Sequence, residues 1–378
     1  MSDQHETLES WLRAIRAPGL SGRNFIDALD AAGSIEALVS ASFEGAHRLS
    51  SDTRDALKNP DQSLIDADLS WLAGERCTLI TWDDDRYPSL LRRVPSPPAA
   101  LFVEGNPDVL WLPQLAVIGS RNPTAGGLDH ARQFTAELVR NGMAITSGLA
   151  AGIDSASHAA ALDNDGVTVA VCGTGPDIVY PSGSKALAER IAQAGALVTE
   201  FPSGTAPKRS HFPSRNRIIS GLSLGVLVIE AGLNSGTLIT ARQAAEQGRE
   251  VFALPGSLHN PLVKGCHRLI KEGARLVETV QDIVSELAPM AGQLASDLRQ
   301  ELKDDDEKQP NPAGQQAAWP EDPDYQALKT ALAFDSRTVD ELVQLSGLSA
   351  RAVSSMLLML DLQGKVNADG GGRYSLSN

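Results

Sequence analysis

The sequence predicts an α/β protein: a Rossmann-like doubly wound parallel sheet, with a small N-terminal helical domain and a C-terminal winged-helix domain. Three observations carry that expectation. Apolar runs of strand length alternate with helix-period segments from Leu115 to about Glu286, as parallel strands joined by right-handed helical crossovers require. Four of the runs lead into turns rich in Gly, Ser or Thr, the polar rim expected at the carboxyl edge of such a sheet. Those turns are Gly119-Ser120-Arg121, Ser147-Gly148, Cys172-Gly-Thr-Gly175 and Asn234-Ser-Gly-Thr237. Residues 325–378 read as three helices and a hairpin, the make-up of a winged helix-turn-helix.

In order along the chain, residues 1–72 form a helical domain, SAM-like or helix-hairpin-helix-like. Helices are expected over Glu6–Arg16, Ser21–Ala31, Ser34–Ser40 and Asp61–Leu72, with Gly19, Gly33 and Pro60 as breaks. The Pro18-Gly-Leu-Ser-Gly22 turn resembles the hairpin of a helix-hairpin-helix, and serves equally well as a packing turn. Residues 73–286 form the core. Its first strands, Thr78–Trp82 and Ala100–Glu104, are joined by a Pro-rich connector and extend the central sheet. The helix after Arg121 should run from Gly127 to Arg140 and end near Gly142. Further strands are expected over Ala196–Phe201, Glu250–Leu254 and near Leu276. Residues 287–324, with eight acids against three bases over 287–322 and several prolines, read as an acidic, flexible linker. Residues 325–378 are the winged helix: helices over Tyr325–Ala333, Val339–Leu345 and Ala350–Leu360, a Thr338/Glu341 capping box, and strands flanking Gly370-Gly-Gly372. Its recognition helix holds one base, Arg351, and its five acids balance its five bases, so protein docking suits it as well as DNA does.

Composition excludes several function classes. No apolar run approaches the ~18 residues of a membrane span, and the polar N-terminus lacks a signal-peptide core, which points to the cytoplasm. Cys77, Cys172 and Cys266 are few and scattered, so neither a disulfide framework nor a metal site is expected. The net charge of −14 argues against nucleic acid at first sight. Residues 287–322 alone contribute −5, however, and binding depends on local patches.

The candidate binding residues fall in two groups. At the first sheet turn, Gly119, Ser120 and Arg121 offer close backbone approach, a hydroxyl and a planar fork for phosphate oxygens. Ser147 and Gly148 should lie on the same rim. The second group is Pro207-Lys-Arg-Ser-His-Phe-Pro-Ser-Arg-Asn-Arg217. It packs Lys208, Arg209, His211, Arg215 and Arg217 around Phe212, the mixture of bases and aromatic that tracks a single strand and stacks a base. Asn216 and Arg217 could instead knit the loop to neighbouring turns. No catalytic residues are assigned. His158 follows Asp154 by one helical turn but reads as a packed residue, and no Walker loop, dinucleotide fingerprint or paired-carboxylate motif appears, so no cofactor is expected.

Taken together, Gly119-Ser-Arg121, Ser147-Gly-Leu-Ala-Ala-Gly-Ile-Asp154, His158, Phe212-Pro-Ser-Arg-Asn-Arg-Ile-Ile219 and Glu230-Ala-Gly-Leu-Asn-Ser-Gly-Thr237 resemble the bacterial DNA-processing protein A (DprA, or Smf) family. Val251-Phe-Ala-Leu-Pro-Gly256 and Gly265-Cys-His-Arg-Leu-Ile270 extend the likeness, which runs from about Tyr87 to Ala274. The resemblance implies a non-enzymatic protein of natural transformation and recombination. Such a protein binds and protects incoming single-stranded DNA as a homodimer, displaces or bypasses single-strand-binding protein, and loads a RecA-type strand-exchange recombinase. By matched position, Arg121 and the Lys208/Arg209 pair would hold phosphates and Phe212 would contact a base.

A second resemblance is to the nucleoside-monophosphate phosphoribohydrolases, enzymes on a related core. Their Pro-Gly-Gly-x-Gly-Thr-x-x-Glu would fall at Ala231-Gly-Leu-Asn-Ser-Gly-Thr-Leu-Ile-Thr240, which lacks both the Pro-Gly-Gly and the closing Glu. That departure counts against catalysis.

Overall fold

Five α-helices open the described chain in the computed structural model: α1 (Ser2–Arg16), α2 (Gly22–Ala32), α3 (Ile35–Ser40), α4 (Ser51–Lys58) and α5 (Gln62–Leu72). The structure describes residues 2–43, 45–308, 323–332, 336–348, 353, 356, 357, 360, 365–369 and 373–376. Trp11, Leu12, Phe25, Ile26, Leu38, Leu57 and Ile65 form the helical core, with Trp11 stacked on Phe25 at 5.6 Å between ring centroids. Helix α4 is absent from the sequence reading because its polar face hides a short apolar stripe of Thr53 and Leu57, with Ser50 as its cap. At the Pro18–Gly22 turn, Thr53 Oγ1 donates to the Pro18 carbonyl at 2.7 Å.

The core supplies nine strands and seven further helices in sequence: β1 (Cys77–Thr81), α6 (Ser89–Arg92), β2 (Ala100–Gly105), β3 (Gln114–Ile118), α7 (Ala125–Arg140), β4 (Ala144–Ser147), α8 (Ile153–Asp163), β5 (Thr168–Val171) and α9 (Lys185–Ala194). There follow β6 (Ala196–Thr199), α10 (His211–Leu222), β7 (Gly225–Val228), α11 (Thr237–Glu246), β8 (Glu250–Ala253), α12 (Lys264–Lys271) and β9 (Arg275–Leu276). All nine strands join one sheet in the order β1-β2-β6-β5-β4-β3-β7-β8-β9. From β6 to β9 every pairing is parallel; β2 runs antiparallel to β6, and β1 antiparallel to β2. The strands read as unbroken apolar runs because helices cover both faces. Ile118, Val171 and Val228 from the sheet meet Ile218, Ile219 and Leu222 of α10 in the main core. Each such side chain contributes about 1.5–3 kcal/mol on burial.

The strand order decides where a ligand can sit. From β3 the chain moves through β4 and β5 to β6, then returns through α10 to place β7 on the other side of β3. The loops leaving β3 and β7 therefore diverge in opposite directions. A crevice opens between them at the carboxyl edge, as it does at the switch point of doubly wound folds.

The chain divides into two compact units, residues 1–292 and 293–378. A long helix, α13 (Val280–Lys308), runs across the first part of the segment read as a flexible linker. Leu, Ala, Gln, Glu and Lys fill 15 of its 29 positions, and their helix propensity carries it through five aspartates and Pro289. The rest of that segment lies outside the described residues. In the second unit, α14 (Pro323–Leu332), β10 (Arg337–Thr338), α15 (Val339–Ser346), β11 (Val366–Asp369) and β12 (Arg373–Leu376) form a winged-helix domain. Its sheet has the order β10-β12-β11, and its core holds Leu328, Leu332, Leu342, Val353, Leu357 and Leu360. The Thr338/Glu341 capping box is formed. Arg351 and Gly370–Gly372 lie outside the described residues. Among the described residues, no helix is long and apolar enough to cross a membrane.

Candidate nucleic-acid interface

The turn after β3 is built by its neighbours. Thr124 caps α7 by accepting from the Gly127 N–H, and Glu230 at the end of β7 holds Thr124 in place. The Thr124 N–H donates to Glu230 Oε2 at 2.9 Å, and the Thr124 hydroxyl donates to Oε1 at 2.7 Å. Asn260 adds a third contact at 3.3 Å. The carboxylate is buried and both its oxygens accept hydrogen bonds, so Glu230 fixes the turn. From the far side, Gly152 reaches φ +86, and a Cβ there would collide with the Ser120 carbonyl. This conformation lets the Ile153 N–H donate to that carbonyl at 3.1 Å. Ser120 Oγ accepts from the Asn122 N–H, which leaves its own proton to donate elsewhere. Arg121 projects from the turn, exposed.

The second group enters from α10. Phe212 stands on the first turn of that helix, with its ring against Gly173, where a Cβ would lie 3.1 Å from the ring. Tyr180 lies 5.5 Å from it, and the Arg121 guanidinium lies 5.7 Å from its centroid. His211 stacks on Phe201 at 4.2 Å. An aromatic platform thus stands beside an exposed arginine, a geometry that favours cation–π contact. Neither α10 nor α11 has a side-chain cap at its N-cap residue; the His211 N–H donates to the Lys208 carbonyl, and those of Thr237, Leu238 and Ile239 donate within the 235–236 turn.

These features surround one cleft of about 1110 Å³ at the β3/β7 crevice. Of the sequence-predicted residues it gathers Gly119, Ser120, Arg121, Arg209, Phe212, Arg215 and Asn216. It adds Asn234 and Ser235 of the rim turn after β7, and Asn122, Tyr180 and Lys264, which the sequence reading missed. Tyr180 follows the Gly173–Gly175 turn, and Lys264 immediately precedes the Gly265-Cys-His motif. Both carried a signal in their neighbours but none of their own. The lining holds a single carboxylate, Asp154, against Arg121, Arg209, Lys264 and Arg215.

Four predicted residues have other tasks, and Lys208 stands apart. Ser147 is fully buried and donates its hydroxyl to the Val117 carbonyl at 2.7 Å. Gly148 uses its N–H on Asp154 and its carbonyl on Arg215. Arg215 is 4% exposed and donates to the Gly148 and Val171 carbonyls and to Asn216 Oδ1. It touches the cleft through its contact with Phe212, 6.0 Å from the ring centroid, but its donors are spent on the core. Burial pushes the Asp154 carboxyl up and the Arg215 guanidinium down, while each opposes the shift of the other. Arg217 forms a bidentate pair with Glu200, both bonds 2.6 Å, and donates to the Ser96 carbonyl at 2.7 Å. It knits the loop to its surroundings. Lys208 is exposed on the loop beside the cleft but does not line it.

His158 is a core residue. Thr168 donates to the Ile145 carbonyl, so it accepts from His158 Nδ1 at 2.7 Å, which sets the tautomer. Burial, with Arg215 nearby, lowers its pKa to about 3, and the ring is neutral. Cys266 is buried with its thiol toward the Val228 and Ile229 carbonyls, while His267 accepts from the Gly256 N–H, so the two side chains serve different contacts.

Two family models match this chain. One described as DNA recombination-mediator protein A covers residues 78–288, and one described as DprA winged helix domain covers residues 310–372. Protein Smf of Escherichia coli K12 is 49% identical over 224 residues, 59% of this chain and 60% of that protein. The chain therefore matches less than two thirds of that relative's length. DNA processing protein DprA of Streptococcus pneumoniae R6 is 47% identical over 203 residues, 54% of this chain and 72% of that protein. The X-ray structure of the pneumococcal protein superposes with a TM-score of 0.65 at 35% identity, over 74% of this chain and 97% of that one. DNA processing protein A of Helicobacter pylori, whose structure is described for its single-stranded DNA binding mode, superposes with a TM-score of 0.51 at 28% identity. That match covers 56% of this chain and 96% of the other. This chain belongs to the DNA recombination-mediator protein A family.

Proposed function

We propose that this member of the family binds single-stranded DNA in the β3/β7 cleft. The sugar-phosphate backbone lies on Arg121, Arg209 and Lys264, with Lys208 beside them, and an unpaired base packs on Phe212 and Tyr180. The carrying observation is the juxtaposition of exposed cations and an aromatic platform around one switch-point cleft. A polymer suits the cleft better than a metabolite, because its ~1110 Å³ exceeds the usual small-ligand range of about 300–1,000 Å³. An unpaired strand suits it better than a duplex, because stacking on Phe212 requires a free base face. The single-strand binding described for the Helicobacter pylori relative supports the same reading.

By its family, the chain acts in DNA processing during transformation and recombination. It works as a cytoplasmic homodimer that displaces single-strand-binding protein and loads a RecA-type recombinase. We read it as a binding protein and not a nucleotide hydrolase, since Glu230, the carboxylate best placed for hydrolysis, is held by Thr124 and Asn260.

Fluorescence anisotropy with labelled oligonucleotides, single- and double-stranded, at several salt concentrations tests the reading. Binding should favour the single strand, and Arg121→Ala should flatten the plot of log affinity against log salt by about 0.7. Equal affinity for duplex, or an unchanged slope in folded Arg121→Ala, places the site elsewhere.

A further inference from the structure

We propose that the N-terminal helical domain is a positioning element for the DNA-contacting loop, acting through Arg16 and Asp68. This deepens the single-strand reading and rests on it for the DNA measurements. Arg16 ends α1 and Asp68 lies within α5, fully buried. Together they grip the backbone of Ser203 in the β6–α10 connection. Arg16 Nε donates to Asp68 Oδ2 at 2.6 Å, and Arg16 Nη2 donates to the Ser203 carbonyl at 3.0 Å. The Ser203 N–H donates to Asp68 Oδ1 at 2.8 Å. Both oxygens of the carboxylate and both polar groups of one peptide position are thus consumed in a closed set of three bonds.

A buried ion pair is a poor device for stability alone, because apolar side chains of similar volume usually do as well. Its charge-assisted bonds are directional, and here two of the three go to the main chain of a loop. The helices could have packed without gripping Ser203. That they grip it ties their position to the loop's.

What the loop carries gives the grip its purpose. Lys208 and Arg209 follow Ser203 by five and six residues, and His211 begins α10. Gly204 and Thr205 are also anchored, through Asp177 and the Gly175 N–H. From Ala206 to Ser210 the chain is exposed. Ser203 to Thr205 is therefore the last fixed point before the two cations. Its position, set partly from the helical domain, decides where they reach.

Asp68→Asn in the full-length protein removes the charge with little change of volume, and Arg16→Gln is the second variant should the first unfold. Two readouts are needed. In limited proteolysis, trypsin should cut after Lys208 and Arg209 about tenfold faster in Asp68→Asn, because local opening governs cleavage, with cutting after exposed Arg242 unchanged. In anisotropy with a labelled oligothymidine, Asp68→Asn should weaken binding about fivefold and flatten the salt slope by up to about 1.4, the loss of two single-strand phosphate contacts. The same substitution in a Lys208→Ala/Arg209→Ala background should cost nothing further, because its effect passes through those two side chains.

A folded variant with wild-type cleavage after Lys208 and Arg209 overturns the proposal. So does an equal loss of affinity in both backgrounds, which would mark a general structural effect. If the wild-type protein fails to bind the oligonucleotide, the single-strand reading falls, while the trypsin ratio still decides whether the helical domain holds the loop.

Discussion

Arg121→Ala and Arg217→Ala should separate an arginine that holds DNA from one that holds the fold. Arg217 has a side chain 14% exposed, its partner Glu200 one 15% exposed, and the two bonds between them are both 2.6 Å. Alanine removes these and the bond to the Ser96 carbonyl, and leaves the Glu200 carboxylate largely buried without its cation. Breaking a fully buried pair costs about 3–5 kcal/mol; with this residual exposure, about 2–3 kcal/mol is expected. A unit of this size unfolds with an entropy of about 0.6 kcal/mol/K, so Tm should fall by about 4 °C. The salt slope for single-stranded DNA should not move.

Arg121→Ala should do the reverse. The side chain is exposed, and among the described residues it has no ion-pair partner, only the contact with Phe212. Its loss should change stability by no more than about 0.5 kcal/mol. It should weaken single-strand binding about tenfold, as for a charge-assisted contact, and flatten the slope by about 0.7. Differential scanning fluorimetry and anisotropy on the same preparations give both numbers. A Tm unchanged in Arg217→Ala together with a flatter slope would refute the argument, because Arg217 would then be a phosphate contact.

Phe212→Ala should cost about 1–3 kcal/mol of single-strand affinity through lost stacking, with the slope nearly unchanged; a flatter slope would mean that the ring acts only by placing Arg121. His158, held neutral with its pKa near 3 against an ordinary value of 6.5, binds fewer protons folded than unfolded between those values, so stability should fall as pH drops below 6.5. Between pH 7.5 and 5.5 denaturant unfolding should lose about 1.4 kcal/mol more in wild type than in His158→Gln, and equal losses would contradict the buried neutral ring. A chain ending at Gly292, the end of the first unit, should keep single-strand affinity to within about tenfold; a larger drop would give the winged helix a primary share in binding. Incubated with nucleoside monophosphates, the protein should release no base above a buffer control, and release abolished by Glu230→Gln would establish a hydrolase.

The sequence reading located strands, turns and the basic segment because each is a local pattern. Apolar runs ending in Gly-Ser-Arg or Gly-Thr-Gly announce a sheet edge whatever surrounds them, and Arg121 and Phe212 follow from that. It could not rank the arginines. Arg215 looks as available as Arg209 in the one-dimensional record, and Arg217 reads either as a phosphate contact or as a knit of the loop. Their partners are 67 residues away at Gly148 and 17 residues away at Glu200, and only the fold brings them within reach. Tyr180 and Lys264 were missed for the converse reason. Their loops reach the cleft only once the strand order is known, and that order includes the return of β7 to the far side of β3. The antiparallel edge of β1 and β2 was equally illegible, because an apolar strand carries no mark of its direction.

The same distinction resolves the apparent conflict between an acidic chain and a DNA site. At physiological salt, exposed charges more than about 8 Å apart are largely screened, so the net −14 does not decide the potential felt by a phosphate inside the cleft. The lining decides it. There the lone carboxylate, Asp154, is opposed by Arg215 within the core, while Arg121, Arg209 and Lys264 carry charges with no acidic neighbour in the lining. Glu200, near in sequence to the basic segment, is paired with Arg217, and Glu230, near the Gly-rich turn, is hydrogen-bonded by Thr124. The acidity is thus kept out of the site by pairing as well as by distance. Unpairing it should cost DNA affinity as well as stability: Thr124→Val, which removes the hydroxyl donated to Glu230, should leave that carboxylate less satisfied behind the turn that carries Arg121. It should weaken single-strand binding about threefold, more at low salt than at high. A loss independent of salt would mean that the turn had simply moved, and that the pairing does not protect the site.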